Sequence, residues 1–322
     1  MNRKTVAELR ENEPVESSFL VKSKSTATGR TGRLFLNLVL MDSTGEIEAK
    51  IWDDAAEWDK AFSEGDLVKV RGKILNYQGR LQLNVAELRR CFSDEVNPDD
   101  FFPHSHQDLE EMFREFLSLI NSIQNPYLKK LLQQIFLDPQ ISADFKIAPA
   151  AKSVHHVFRG GLLEHSLSIA KLTQKFVAHY RDFSQLQIDG DLLLAGAALH
   201  DLGKIKEISP EGNFSYTNEG RLIGHIVLGF ELVSGEIKKI QDFPPELELT
   251  LKHILLSHHG FQEFGSPQEP MTLEAMILYY LDDLDSKIQS ISSHLEKDKT
   301  NKDDWTPYHR SYERYFYKGK IS

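Results

Sequence analysis

The chain has 322 residues, with 38 Lys and Arg against 48 Asp and Glu, a formal net charge of −10 and one cysteine. The length supports more than one domain with a substantial core. The charge excludes a generally basic nucleic-acid coat, and the lone Cys91 excludes an intramolecular disulfide or a multi-cysteine zinc site.

No run approaches the roughly 18 apolar residues of a membrane span, and Met1-Asn2-Arg3-Lys4-Thr5 offers no apolar signal region. A cytoplasmic protein without a membrane partner is therefore expected. Charge is uneven: residues 1–92 carry 15 Lys/Arg and 14 Asp/Glu, the remainder 23 and 34. A near-neutral part precedes an acidic one, which leaves room for a local phosphate-binding groove.

The expected fold class is multidomain α+β: a five-stranded β-barrel over 1–92, a linker over 93–106 and an all-α helical bundle over 107–322. The first strand spans 17–24. Over 33–40, Leu34, Leu36, Leu38 and Leu40 share one face, with Arg33, Phe35 and Asn37 on the other. Asp42-Ser43-Thr44-Gly45 is a turn, and 46–52 alternates again with Ile47, Ala49 and Ile51 inward. A short helix suits 53–62, and 67–75 pairs with 80–88 around Asn76-Tyr77-Gln78-Gly79.

Five strands with a helix between the third and fourth is the order of an OB-fold. Such barrels take single strands on the face of strands two and three. Here that face shows Arg33, Phe35, Asn37, Lys50 and Trp52, and the flanking loops add Lys24, Arg30, Tyr77 and Arg80. Bases stack on aromatic rings while cations follow phosphates, so single-stranded RNA or DNA is the expected partner. The plainer alternative is that Phe35 and Trp52 cover a domain interface.

The acidic stretch Ser93-Asp94-Glu95-Val96-Asn97-Pro98-Asp99-Asp100 marks the boundary. Beyond it the apolar period becomes helical, with Leu109, Met112, Phe113, Phe116, Leu117 and Ile120 on one face. Asn125-Pro126 opens a second helix. Further helices are expected over about 161–181, 189–200, 220–240, 246–258 and 271–292, with breaks at Pro210-Glu211-Gly212-Asn213 and Pro244-Pro245. The aromatic and basic stretch from Trp305 to Lys320 is expected mainly to pack on the helices, with the border of a nucleic-acid channel as the other reading.

The chemistry centres on His200-Asp201, which closes the apolar run from Leu192 to Leu199. Imidazole and carboxylate are ligands for a divalent metal. One pair cannot fill a coordination sphere, but His165, His225, His258, His259 and Asp282 each fall on or beside an expected helix, and a bundle can bring them together. Any one histidine alone reads more simply as a packed core residue; the ordered set is far more specific.

That order, His165…His200-Asp201…Asp282, resembles the HD-domain superfamily of metal-dependent phosphohydrolases. The added His225 and His258 resemble its members that hold two metals. The resemblance implies one ion on His165, His200, Asp201 and Asp282, and a second on His225 and His258 with Asp201 bridging and His259 as a further ligand or a group that supports one. The chain departs from the superfamily's cyclic-dinucleotide phosphodiesterases, because no Gly-Tyr-Pro follows Ser257-His258-His259-Gly260. An OB-fold joined to an HD domain at this length resembles the YhaM-type 3′-to-5′ exoribonucleases. Pro149-Ala150-Ala151, His155 through His165, Leu281 through Lys287 and Arg314-Tyr315-Phe316-Tyr317-Lys318 carry that likeness.

The resemblance implies hydrolysis of single-stranded RNA, and of DNA as a further substrate, to nucleoside 5′-monophosphates. Two ions clamp the attacking and leaving oxygens of a phosphodiester. The mixed ligands suit Mn²⁺, Fe²⁺, Co²⁺, Ni²⁺ or Zn²⁺, and the resemblance favours manganese. Asp201 and Lys204 are the candidate catalytic residues; Lys204 also reads as a lysine complementing a helix end. His155, His156 and Arg159 form a cationic group ahead of the first ligand, read either as phosphate contacts or as local capping and packing. Asp283 and Asp285 read either as groups that orient histidines or as solvated helix residues. Two other readings stay open: a nucleotide or cyclic-nucleotide phosphohydrolase, and a non-catalytic nucleic-acid-binding regulator. The sequence does not fix the oligomeric state.

Overall fold

The computed structural model describes residues 3–29, 32–92, 95–96, 100–101, 107–151, 158–183, 186–209, 215–298 and 303–319. The chain divides into two compact units, one of residues 1–106 with 209–215, the other of residues 107–208 and 216–322.

In the first unit β1 (Pro14–Thr28), β2 (Leu34–Asp42), β3 (Gly45–Ile51), β4 (Leu67–Tyr77) and β5 (Arg80–Arg90) close a barrel in the order β1-β2-β3-β5-β4. Closure depends on the length of β1. Its first half pairs with β4, from Pro14 opposite Lys73, and its second half pairs with β2, to Thr28 opposite Leu34. The short parallel pairing of β3 with β5 completes the ring. The inward residues of each strand (Phe19, Val21, Leu36, Leu38, Leu40, Ile47, Ile51, Val70, Ile74 and Leu83 among them) form one core. Helix α1 (Ala55–Ala61) lies between β3 and β4.

Leu34 keeps the face of Leu36, Leu38 and Leu40 but is 49% exposed at the open end of β2, beyond the reach of the core. One expectation fails: Lys24 belongs to β1, where its ammonium is held by the carbonyls of Asp59 and Phe62 and by the Asp59 carboxylate; it is a structural cation. Arg30 lies outside the described residues. The described part of the expected linker folds onto this unit: Glu95 pairs with Arg89, Asp100 with Arg3, and Phe101 is fully buried under the Arg3 guanidinium.

The second unit is helical. It comprises α2 (Leu109–Ser122), α3 (Pro126–Phe136), α4 (Pro139–Ile147), α5 (Gly161–Phe183), α6 (Gly190–Leu199), α7 (Lys204–Glu207), α8 (Asn218–Leu222), α9 (His225–Ile237), α10 (Pro245–Ser257) and α11 (Leu273–Lys297). Helix starts follow local chemistry. Asp108, Asn125, Asp138, Asp189 and Thr272 accept backbone N–H bonds at the N-termini, and Pro126, Pro139 and Pro245 supply the first helical φ.

Every residue of α6 from Leu192 to Leu199 is buried, so this helix is central. It packs against α5, α10 and α11, which carry or lead into the candidate ligands His165, His258 and Asp282. The expected helix over 220–240 is broken: Gly224, at φ +81°, separates α8 from α9. Helices α4 and α7 are too short for their apolar period to announce them. At the C-terminal end the rings of Tyr312, Phe316, His309 and His294 pack against one another, edge to face for His294–His309 and Tyr312–Phe316. Trp305, Tyr308, Tyr315 and Tyr317 are each about half exposed, so packing describes only part of that stretch.

Candidate metal centre

The cluster forms where helices end. His200 is the C-cap of α6 and His258 the C-cap of α10. Helix ends leave carbonyls without intrahelical partners. Here each ring reaches back to one: Nδ1 of His200 donates to Ala197 O at 2.9 Å, and Nδ1 of His258 to Leu255 O at 2.8 Å. Both rings are thereby fixed in orientation, with Nε2 facing the cluster. His259 does the same from the following loop, donating from Nδ1 to Phe264 O at 3.0 Å.

His165 and His225 are oriented by carboxylates. His165 Nδ1 lies 3.1 Å from Asp285 Oδ2, whose other oxygen accepts from Ser168 Oγ at 2.7 Å. His225 opens α9 after Gly224, a position with no side-chain cap. Glu207 takes over, its Oε1 accepting from both the backbone N and Nδ1 of His225 at 3.0 Å. The turn carrying Asp201 reaches α9 because Gly203 has no side chain; a Cβ there would stand 2.0 Å from His225 O.

Asp201 faces two ways. Its Oδ2 lies 3.4 Å from His200 Nε2, 3.6 Å from His165 Nε2 and 2.6 Å from Lys204 Nζ. Its Oδ1 lies 3.5 Å from His225 Nε2 and 3.7 Å from His258 Nε2. Asp282 Oδ1 adds to the first half, 3.1 Å from His165 Nε2 and 3.9 Å from His200 Nε2. Ligand atoms of His165, His200 and Asp201 lie within 4.8 Å of one another, as do those of Asp201, His225, His258 and His259.

Charge is shared unequally. Burial works against ionising Asp201, yet Lys204, His200 and His225 hold it well below the usual carboxylate range. Burial likewise opposes a proton on His165, but hydrogen bonds to Asp282 and Asp285 outweigh it and raise the imidazole to about 9. Burial lowers His258 well below its ordinary value, with His259 and His200 adding to the effect; His259 is lowered by burial and His225. These two are neutral imidazoles at physiological pH, each able to offer a lone pair.

The residues fit a divalent cation. Asp201 Oδ1, His225 Nε2 and His258 Nε2 are buried without a hydrogen-bond partner. Leaving such atoms unpaired costs about 1–3 kcal/mol each, and three orphaned acceptor sites converging on one point suit a cation bound between them. All seven ligand candidates are brought together. Lys204 joins them, 11% exposed. Asp285 meets the expectation of an orienting group, whereas Asp283 is solvated and paired with Lys287. Arg159 is half-buried just before α5, and His155 and His156 lie outside the described residues. Glu207 and Ser168 went unnoticed in the sequence: an acid just after Lys204 and Lys206 and a serine on a helix carry no spacing that marks them.

On the barrel, Phe35 and Trp52 stack at 4.6 Å between centroids. Lys50 lies over both rings and over Tyr77, at 5.2, 5.3 and 5.7 Å. Asn37 is opposite Lys50 in the β2–β3 ladder, and Arg33 is exposed ahead of it. The five expected face residues therefore lie on or beside the β2–β3 pair, and Tyr77, expected in a loop, ends β4 and meets them through Lys50.

A closed OB-type barrel and a helical unit built around His…His-Asp…Asp define the class: an OB-fold plus HD-domain protein. Residues 162–287 match the HD domain family and residues 20–90 match the OB-fold nucleic acid binding domain family. The 3′-5′ exoribonuclease YhaM of Geobacillus sp. (strain WCH70) is 38% identical over 89% of this chain and 86% of its own. That of Bacillus subtilis (strain 168) is 38% identical over 89% of each. The chain belongs to the YhaM family. Among solved structures, the second OB-fold domain of replication protein A from Methanococcus maripaludis is 22% identical, covering 28% of this chain and 94% of that one, with a TM-score of 0.24.

Proposed function

We propose that this chain is a metal-dependent 3′-to-5′ exoribonuclease. It hydrolyses single-stranded RNA, and DNA as a further substrate, to nucleoside 5′-monophosphates. The observation that carries this is the trio of buried, unpartnered atoms on Asp201, His225 and His258 in a chain of the YhaM family. His165, His200, Asp201 and Asp282 would hold one ion, and Asp201, His225, His258 and His259 a second.

Divalent ions bound there supply Lewis acidity and activate water at neutral pH. Nitrogen ligands on five of the seven residues favour a transition metal over Mg²⁺, and Mn²⁺ is proposed. The protein's own groups do the positioning. Carbonyls and carboxylates behind each ring prevent the histidines from turning. Lys204, beside Asp201, offers a cation to a phosphate oxygen. On the barrel, Phe35 and Trp52 give ring faces to bases while Lys50 and Arg33 follow the backbone phosphates. The proposed location is the cytoplasm, where single-stranded RNA is available as substrate.

No helix among the described residues is long and apolar enough to cross a membrane. The test uses 5′-labelled single-stranded RNA and its DNA equivalent, with Mn²⁺ returned to metal-stripped protein and Asp201→Ala beside the wild type. The expected result is a ladder shortening from the 3′ end, absent in the variant. Metal-loaded protein that cuts neither strand overturns the reading.

A further inference from the structure

Next to the cluster, the segment between Gly260 and Gly265 presents aromatic rings outward. Both glycines have left-handed φ, +81° and +90°, and residues 262–264 form a single 3₁₀ turn between them. Phe261 is 44% and Phe264 58% exposed. Their position relative to the metal centre is fixed by two tethers. Phe264 O accepts the Nδ1 bond from His259, so its backbone touches a ligand ring. Phe261 packs edge-on against Tyr279, 5.8 Å between centroids. Tyr279 stands one helical turn before Asp282 on α11, on the same side of the helix. Gly260 lies so close to the Tyr279 ring that a Cβ would meet it at 2.3 Å. The rings therefore form a rim between two ligands, His259 and Asp282.

Charge says what this rim receives. Between Lys252 and Lys287 the chain has no Lys or Arg, and it places Glu263 within the turn and Glu269 just after it. The stretch itself offers a backbone phosphate no cation, and Lys287, which lies near Tyr279, is paired with Asp283. Bare phenyl faces offer stacking, which accepts every base because every base has a π-face. Resting on the exonuclease reading above, we propose that Phe261, Phe264 and Tyr279 form a nucleobase subsite that stacks the bases flanking the scissile phosphodiester at the RNA 3′ end. It positions whichever nucleotide arrives without selecting its identity.

The test couples a protein change to a substrate change. Wild type and a Phe261→Ala/Phe264→Ala double variant are given one labelled RNA with an ordinary 3′ end and one abasic at its last two positions. In the wild type, kcat/KM is expected to be about tenfold or more lower on the abasic end. In the double variant, with metal content held, the two ends should differ by no more than about twofold. Equal wild-type rates on both ends overturn the subsite, as does a double variant that keeps the tenfold difference. A change in sedimentation mass with the base dependence intact points instead to contact between copies and also overturns it. A strand carrying 2-aminopurine at its 3′ end separates this inference from the activity. If no strand is cut, quenching on binding that the double variant loses keeps the subsite while the exonuclease reading falls; absent quenching removes both.

Discussion

The two candidate sites are held in opposite ways. On the barrel, Phe35, Trp52 and Lys50 lie on a strand face and lean chiefly on one another. In the helical unit each ligand ring has a fixed partner behind it, and on Asp201, His225 and His258 the inward atoms have none. A flexible strand needs only ring faces and charge, and tolerates small displacements. A bound ion needs lone pairs held to within about half an ångström. Substitutions should therefore erode the barrel site gradually and break the helical site abruptly.

The sharpest break is Asp201→Ala. Its two oxygens face the two halves of the cluster, so both lose a ligand together. Metal content should fall and RNA cleavage should drop below detection, while the variant still shifts a labelled single strand on a gel. A variant that keeps its metal and cuts RNA would mean that the two halves do not depend on a shared carboxylate.

Glu207→Gln is milder and sharpens the comparison. The amide keeps the size of the side chain and loses the charge that holds His225. Metal affinity should fall about 10–100-fold, the usual consequence of removing a group that orients a ligand. The loss should be confined to one equivalent, because His165 is oriented separately by Asp285. A competition titration against a chelator reads both equivalents. Uniform weakening of both would show that Glu207 supports the whole cluster.

Glu207 also marks the limit of what the sequence discloses. His200-Asp201 is legible because a polar pair ends a helix that is apolar on every side, which demands a partner for those groups. The barrel strands are legible because β2 and β3 alternate with period two around Leu36, Leu38, Leu40, Ile47 and Ile51. Glu207 has no such contrast. It sits on a four-residue helix whose existence depends on Gly203 and Gly220 meeting neighbouring backbone, a relation between distant segments that local pattern does not contain. The break at Gly224 is hidden for a similar reason. The apolar period continues across it, and only the positive φ, which lets Glu207 reach the first N–H of α9, separates the two helices.

The halves of the cluster should also differ in pH dependence. His165 is held at about 9 in the metal-free protein and carries a proton at pH 8. A ligating imidazole must give that proton up. Affinity for the His165 half should thus fall by up to about tenfold per unit as pH drops below about 9, and level off above it. His258 and His259, lowered by burial, are already neutral and release nothing at pH 8. Calorimetric titrations at pH 8 in two buffers of different ionisation enthalpy should show buffer-dependent heat for one equivalent only. Buffer-independent heat for both would place His165 as neutral before the metal arrives.

The smallest effect belongs to the barrel. Phe35 and Trp52 already stack on each other, so an incoming base gains one outer face, a contribution of about 1 kcal/mol or roughly fivefold in affinity. Phe35→Ala with Trp52→Ala should weaken single-strand binding by about that factor, read by fluorescence anisotropy in metal-free protein. Lys50→Ala should instead flatten the dependence of affinity on salt, since a phosphate contact releases counterions and a ring contact does not. With metal returned, the aromatic change should raise KM for a long strand and leave kcat alone, because it acts on capture and not on the bond being cut. A fall in kcat of the same size would place these rings in the catalytic step, and the contrast between a tolerant surface and a rigid centre would no longer describe the protein.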